Sequence, residues 1–151
     1  MVRALIHVLA VASLVAAPPL AAPARSSPPV AARDDDTPLM KEMEKLDAAM
    51  EFLKRSVIDA AQDAKSLEQI TLAQQACVAA KSLIPKMAPH VAEAERAKFV
   101  VSYRKGMATL LIELANLETA VLDGDRDRAR ATWKKLDGMK DDGHNEFTEG
   151  E

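Results

Sequence analysis

The stretch VVSYRKGMATLLIELANLETAV, residues 100–121, decides the fold. Val100, Tyr103, Met107, Leu110, Leu114, Leu117 and Val121 recur at alternating steps of three and four. On a helix of about 3.6 residues per turn, that spacing lays one narrow apolar stripe along one side. Such a stripe is the seam of a helix packed against other helices. Composition points the same way. Apolar residues make up 48% of the chain but aromatics only 3%, so the core must be built from Leu, Ala, Met, Val and Ile. That composition suits helices better than sheets.

Working outward, Asp123-Gly124-Asp125 closes this helix and opens the next, with Gly124 as the stop and Asp125 as the following N-cap. Asp123, Asp125 and Asp127 resemble the opening of a calcium loop. The glycine such a loop needs at its sixth position is Arg128, and no glutamate stands at the twelfth, so that function is excluded. The last helix is expected from about Asp125 to Phe147, with Ala129, Trp133, Leu136 and Phe147 inward. Upstream, Thr37 as N-cap and Pro38 at the first helical position start a helix that is expected to reach about Ala61. Leu39, Met43, Leu46, Met50, Leu53 and Val57 form its seam. A second helix is expected from Ser66, paired with Gln69 in a capping box, to Ile84. Its stripe is Ile70, Ala73, Cys77, Ala80 and Ile84. Pro85 and Pro89 bracket the next connection. The start of the third helix has two solutions. Either its first two turns overhang its neighbours, or residues 86–95 are mostly loop. Four helices on short turns predict an all-α, antiparallel up-down-up-down bundle over residues 38–147.

Residues 1–24 read as a secretory signal. Arg3 supplies the positive charge, and Ala4–Ala17 is an apolar run broken only by His7 and Ser13, too short to span a bilayer. Ala22 and Ala24 before Arg25 mark the cleavage region. Residues 25–37, rich in Pro and Ser and then acidic, predict a disordered linker, and residues 148–151 a short tail. Removing residues 1–24 takes away Arg3 and no acidic group, so the formal charge moves from -3 to -4. No basic surface argues for nucleic acid. The single cysteine, Cys77, forms no internal disulfide and reads as a small buried hydrophobe. The expected location is the periplasm, with no stable membrane anchor once the signal is cleaved, and the expected state is a monomer.

Two histidines remain after that cleavage, His90 among prolines in a connection and His144 in the last helix. His144 lies in WKKLDGMKDDGHNEF, residues 133–147, where Gly138, Asp141, Asp142 and Gly143 are poor interior helix residues. With these elements laid out, the chain resembles the cytochrome b562 family over roughly residues 38–147. Three stretches carry the resemblance: LMKEMEKLDAAMEFLK, YRKGMATLLIELANLETAVLDGD and LDGMKDDGHNEF. No gap is needed from Gly106 through Gly124 to His144, which stands eight residues after Leu136.

The resemblance implies one haem b, with Met43 and His144 at the family's axial ligand positions. It implies that Tyr103 and Met107 pack against the ring, and that Lys140 supplies the family's basic residue, facing a propionate or solvent. No C-x-x-C-H occurs, so the haem would be held non-covalently. Bundle geometry agrees: the start of the first helix and the end of the last lie at one end, so Met43 and His144 share a mouth. A six-coordinate iron has no position for substrate, so electron transfer to redox partner proteins is the expected work. No nucleophile–base pair or paired-carboxylate constellation argues for an enzyme. The alternative is a haem-less envelope bundle that binds a partner, or a soft metal such as Cu(I) through Met40, Met43 and His144.

Overall fold

A computed structural model describes residues 37–148. The expected signal segment 1–24, linker residues 25–36 and tail residues 149–151 lie outside the described residues. Four helices account for most of the rest: α1 Pro38–Ser56, α2 Asp63–Ala80, α3 Glu93–Leu122 and α4 Arg126–Phe147. Among the described residues there is no strand.

Local chemistry sets most of the ends. The Met40 N–H donates to Thr37 Oγ1 at 3.2 Å, and Pro38 occupies the first turn, where a missing N–H costs nothing. The Arg128 N–H donates to Asp125 Oδ1 at 3.0 Å and caps α4. Gly124 sits at φ +70°, the left-handed conformation that lets the chain reverse after α3.

Three boundaries differ from expectation. The first helix stops at Ser56 rather than Ala61, because Asp59 accepts from the Ala61 N–H at 3.0 Å and turns the chain into a short 3₁₀ segment, Ala60–Gln62. The second helix therefore begins at Asp63, which places Ser66 inside it. Ser66 forms no capping box. Its hydroxyl is buried and donates to Ser56 Oγ at 2.9 Å, tying α1 to α2. The same helix ends at Ala80, and Ile84 is 67% exposed instead of completing the stripe. Pro85 disfavours a helical residue before it, so the chain leaves the helix a turn early. The start of α3 combines the two solutions: residues 86–92 form the connection, with a short 3₁₀ turn over Ala88–His90, yet α3 from Glu93 still overhangs, running 30 residues against 19, 18 and 22 for the others. His90 lies on the exposed connection before it, as expected.

Each helix packs on the next in the chain, while α1 and α4 meet only sparingly. The core is one apolar cluster to which α3 contributes most: Tyr103, Met107, Leu110, Leu114, Leu117, Ala120 and Val121. Val100 is only half-buried, so the stripe fades towards the overhang. Polar ties fix how the helices line up. Arg126 grips Asp63 with two hydrogen bonds of 2.7 and 2.6 Å, joining the first turns of α4 and α2. Lys135 Nζ donates to Glu113 Oε1 at 2.6 Å, joining α4 to α3.

Glu113 is a buried carboxylate, and the Lys135 hydrogen bond holds it below the usual carboxylate range against the opposing effect of burial. A carboxyl with a lower pKa in the folded chain stabilises the fold above its unfolded pKa, near 4.3, and loses that contribution as pH falls through the folded value. Denaturant midpoints are therefore expected to fall on acidification below pH about 4.3, and to fall less steeply in Glu113→Gln.

Candidate functional site: the mouth between α1 and α4

One end of the bundle gathers the start of α1, the end of α2, the start of α3 and the end of α4. Its inner wall is uncharged. Tyr103 is buried on α3 and its hydroxyl donates to the Ala80 carbonyl at 2.9 Å, so the phenol spans to the last turn of α2. One turn deeper, the Cys77 thiol donates to the Met107 carbonyl at 3.2 Å. Burial pushes Tyr103 up to about 12, with a contribution from Cys77, and pushes Cys77 up to about 11, partly offset by Lys81. Both groups stay neutral at any physiological pH, and the wall stays apolar.

Phe147, in the last turn of α4, completes this wall. Its ring stands edge-on to Tyr103 and to Phe99, with centroids 5.3 Å apart in both pairs. Edge-to-face rings at this spacing attract beyond the area they bury.

Opposite lies a seam. The stripe of α4 runs Ala129, Trp133, Leu136, Lys140, Gly143 and Phe147, at steps of four and three, but only Ala129, Leu136 and Phe147 are buried and Lys140 is exposed. Between Leu136 and Phe147 no α4 side chain is fully buried. A Cβ added at Gly143 would meet nothing within 4 Å. On α1, Met43 is a long apolar side chain that packs on the edge of the core yet stays half-buried. α1 and α4 meet only sparingly here, with the Met43 thioether at the edge of the core.

The register across the seam is marked by one ion pair. Lys140 Nζ lies 3.2 Å from Asp47 Oδ1. Four residues towards the mouth along α1 is Met43, and four residues towards the mouth along α4 is His144. Both steps advance about 6 Å in the same direction, because the helices are antiparallel. Met43 and His144 therefore occupy one level of the seam, a turn outside the ion pair. His144 is exposed, and its backbone carbonyl accepts from the Thr148 N–H at 3.0 Å and the Thr148 hydroxyl at 2.6 Å, closing the helix just beyond it.

Of the five residues singled out in the sequence, Met43, His144 and Lys140 border the seam, while Tyr103 and Met107 form the buried wall behind it. Lys140 is exposed and pairs with Asp47. Sequence reasoning missed two participants. Phe99 stands four residues before Tyr103, a helical neighbour whose spacing to Tyr103 was visible. Asp47 stands four residues after Met43, but nothing short of the three-dimensional register pairs it with Lys140.

The model of the family described as Cytochrome b562 matches residues 38–148. No curated protein matches the chain. With four antiparallel helices and a family match that spans α1 to the end of α4, the chain belongs to the cytochrome b562 family, whose members bind haem b non-covalently.

Proposed function

We propose that this chain is a single-electron carrier that holds one haem b between α1 and α4, with Met43 Sδ and an imidazole nitrogen of His144 as the axial ligands. The observation that supports the proposal is the Asp47–Lys140 ion pair, from which Met43 on α1 and His144 on α4 each lie four residues towards the mouth. When bound, the haem supplies a metal centre that changes by one electron without changing its substituents. The residues of the chain do the rest. A thioether, being a soft and weak donor, favours the reduced iron and raises the potential. The neutral wall of Tyr103, Met107 and Phe147 excludes water from the buried edge of the ring. Asp47, Asp141 and Asp142 near the mouth favour the oxidised, more positive state and pull the potential down. Lys140, released from Asp47 or shared with it, offers a cation for a propionate.

The same proposal places the chain in the periplasm. Residues 1–24 carry the charge, apolar run and small-residue cleavage region of an export signal. Donor and acceptor proteins then meet it there.

A hemin titration tests the ligation. Wild-type protein is expected to develop a sharp low-spin spectrum that saturates at one equivalent and, once reduced, resists added carbon monoxide because both axial positions are filled. A spectrum of free or five-coordinate hemin at every ratio contradicts the proposal.

A further inference from the structure

The weakest stretch of α4 is the one that carries His144. After Leu136 come Gly138, Asp141, Asp142 and Gly143, all poor helix formers. In this stretch Met139 is half-buried against the core and the Lys140–Asp47 pair is exposed, and an exposed ion pair orders little by itself. A helix so composed frays unless something holds its far end.

The overhang of α3 meets that far end. Ser102 Oγ donates to Glu146 Oε1 at 2.9 Å, and Glu113 accepts from Lys135. Eleven residues separate the two α3 positions and eleven separate the two α4 positions, so α3 and α4 keep one register throughout. In that register the end of α4 falls beside Val101, and residues 93–100 project about two turns beyond it. Phe99 lies in the projecting part and turns its ring back onto Phe147. The projection is itself braced. Arg96 donates to the carbonyl of Ala88 at 2.9 Å and to that of Val91 at 3.3 Å, and pairs with Glu93.

We propose that the overhanging start of α3 is a positioning element for the iron ligand: Phe99 and Ser102 clamp Phe147 and Glu146, and so order the turn of α4 that aims His144. Phe99, Ser102 and Phe147 act through the helix and are positioning residues. The assignment of His144 as a ligand rests on the function proposed above, whereas the ordering of the α4 end does not.

Hydrogen exchange in the haem-free protein, followed by the spectrum of the haem-loaded protein, tests both parts. In Phe99→Ala, the amides of Asn145, Glu146 and Phe147 are expected to exchange about tenfold faster or more, while those of Ala131–Leu136 keep their rates. The loaded variant is expected to show a high-spin fraction absent from wild type, and Phe99→Tyr, which keeps the ring, is expected to restore both readouts. Phe52→Ala serves as control, because Phe52 is half-buried on α1 about 13 Å from Met43 along the axis. It lowers stability but is expected to leave ligation and the α4 end unchanged. Unchanged exchange at residues 145–147 in Phe99→Ala overturns the clamp. Faster exchange with a fully low-spin spectrum overturns its role in aiming His144. If wild-type protein takes up no low-spin haem, the carrier assignment fails, and the exchange rates alone decide whether the overhang orders α4.

Discussion

His144→Ala is expected to lose the low-spin haem spectrum entirely and to weaken haem binding by more than about 100-fold, beyond the range typical of losing an outer partner of a metal ligand. The size follows from where the residue stands. Nothing else on α4 at that level offers a donor of the same kind: Asn145 and Gly143 flank it, and Lys140 is a turn away. Met43 remains, but a thioether alone is a weak partner for ferric iron. Met43→Ala is expected to be milder, keeping the imidazole and giving a five-coordinate, high-spin spectrum with a lower potential. The haem-free fold should hardly notice the first change. His144 is exposed, and a surface substitution of this kind moves stability by no more than about 0.5 kcal/mol. Titration with hemin and thermal unfolding of the same two variants separate these effects: a large loss in one and almost none in the other is the expected pattern. A His144→Ala protein that keeps a low-spin spectrum contradicts it.

The second large effect is on the fold. Leu114 lies in the middle of α3 with 0% exposure, inside the cluster that all four helices share. Leu114→Ala removes buried methyl and methylene groups and leaves a cavity, because a close-packed core built by all four helices relaxes only partly around it. The expected loss is about 2–5 kcal/mol, which lowers Tm by about 10 °C or more for a domain of this size. Ile112, two residues away on the same helix, is 59% exposed. Ile112→Ala is expected to stay within about 0.5 kcal/mol. Thermal unfolding of the haem-free variants measures the contrast, and equal losses at the two positions would mean that the three-four stripe does not define the buried face.

That stripe explains why so much of the architecture was legible beforehand. From Tyr103 to Val121 every residue assigned to the seam of α3 is buried, and Thr37, Pro38, Gly124 and Asp125 mark helix ends where local chemistry alone decides. Misreadings occur where a nearby group competes. Asp59 intercepts a backbone N–H and ends α1 five residues early. Ser66 looks like a cap because it is a serine three residues before a glutamine, but tertiary packing gives its hydroxyl to Ser56. Ile84 fits the period yet stands before Pro85, whose ring unwinds the turn that would have buried it.

The site divides along the same line. The proposed pairing of Met43 with His144 comes from the resemblance and from the antiparallel order of the helices, both of which are written along the chain. The aromatic trio was not, because Phe99 and Phe147 are 48 positions apart in the numbering and meet only through the overhang of α3. The chain is therefore less poor in aromatics at the mouth than its 3% content suggests, since three of its few rings converge on one wall. The glycines and aspartates before His144 weaken the helix, and a Cβ at Gly138 or Gly143 would meet nothing within 4 Å.

The most direct test of Met43/His144 ligation is X-ray absorption at the iron edge of the reconstituted protein, oxidised and reduced. One sulfur scatterer alongside nitrogen neighbours, lost in Met43→Ala and retained in Met40→Ala, is the expected result. A shell of nitrogen and oxygen with no sulfur, or a sulfur that survives Met43→Ala, would contradict it.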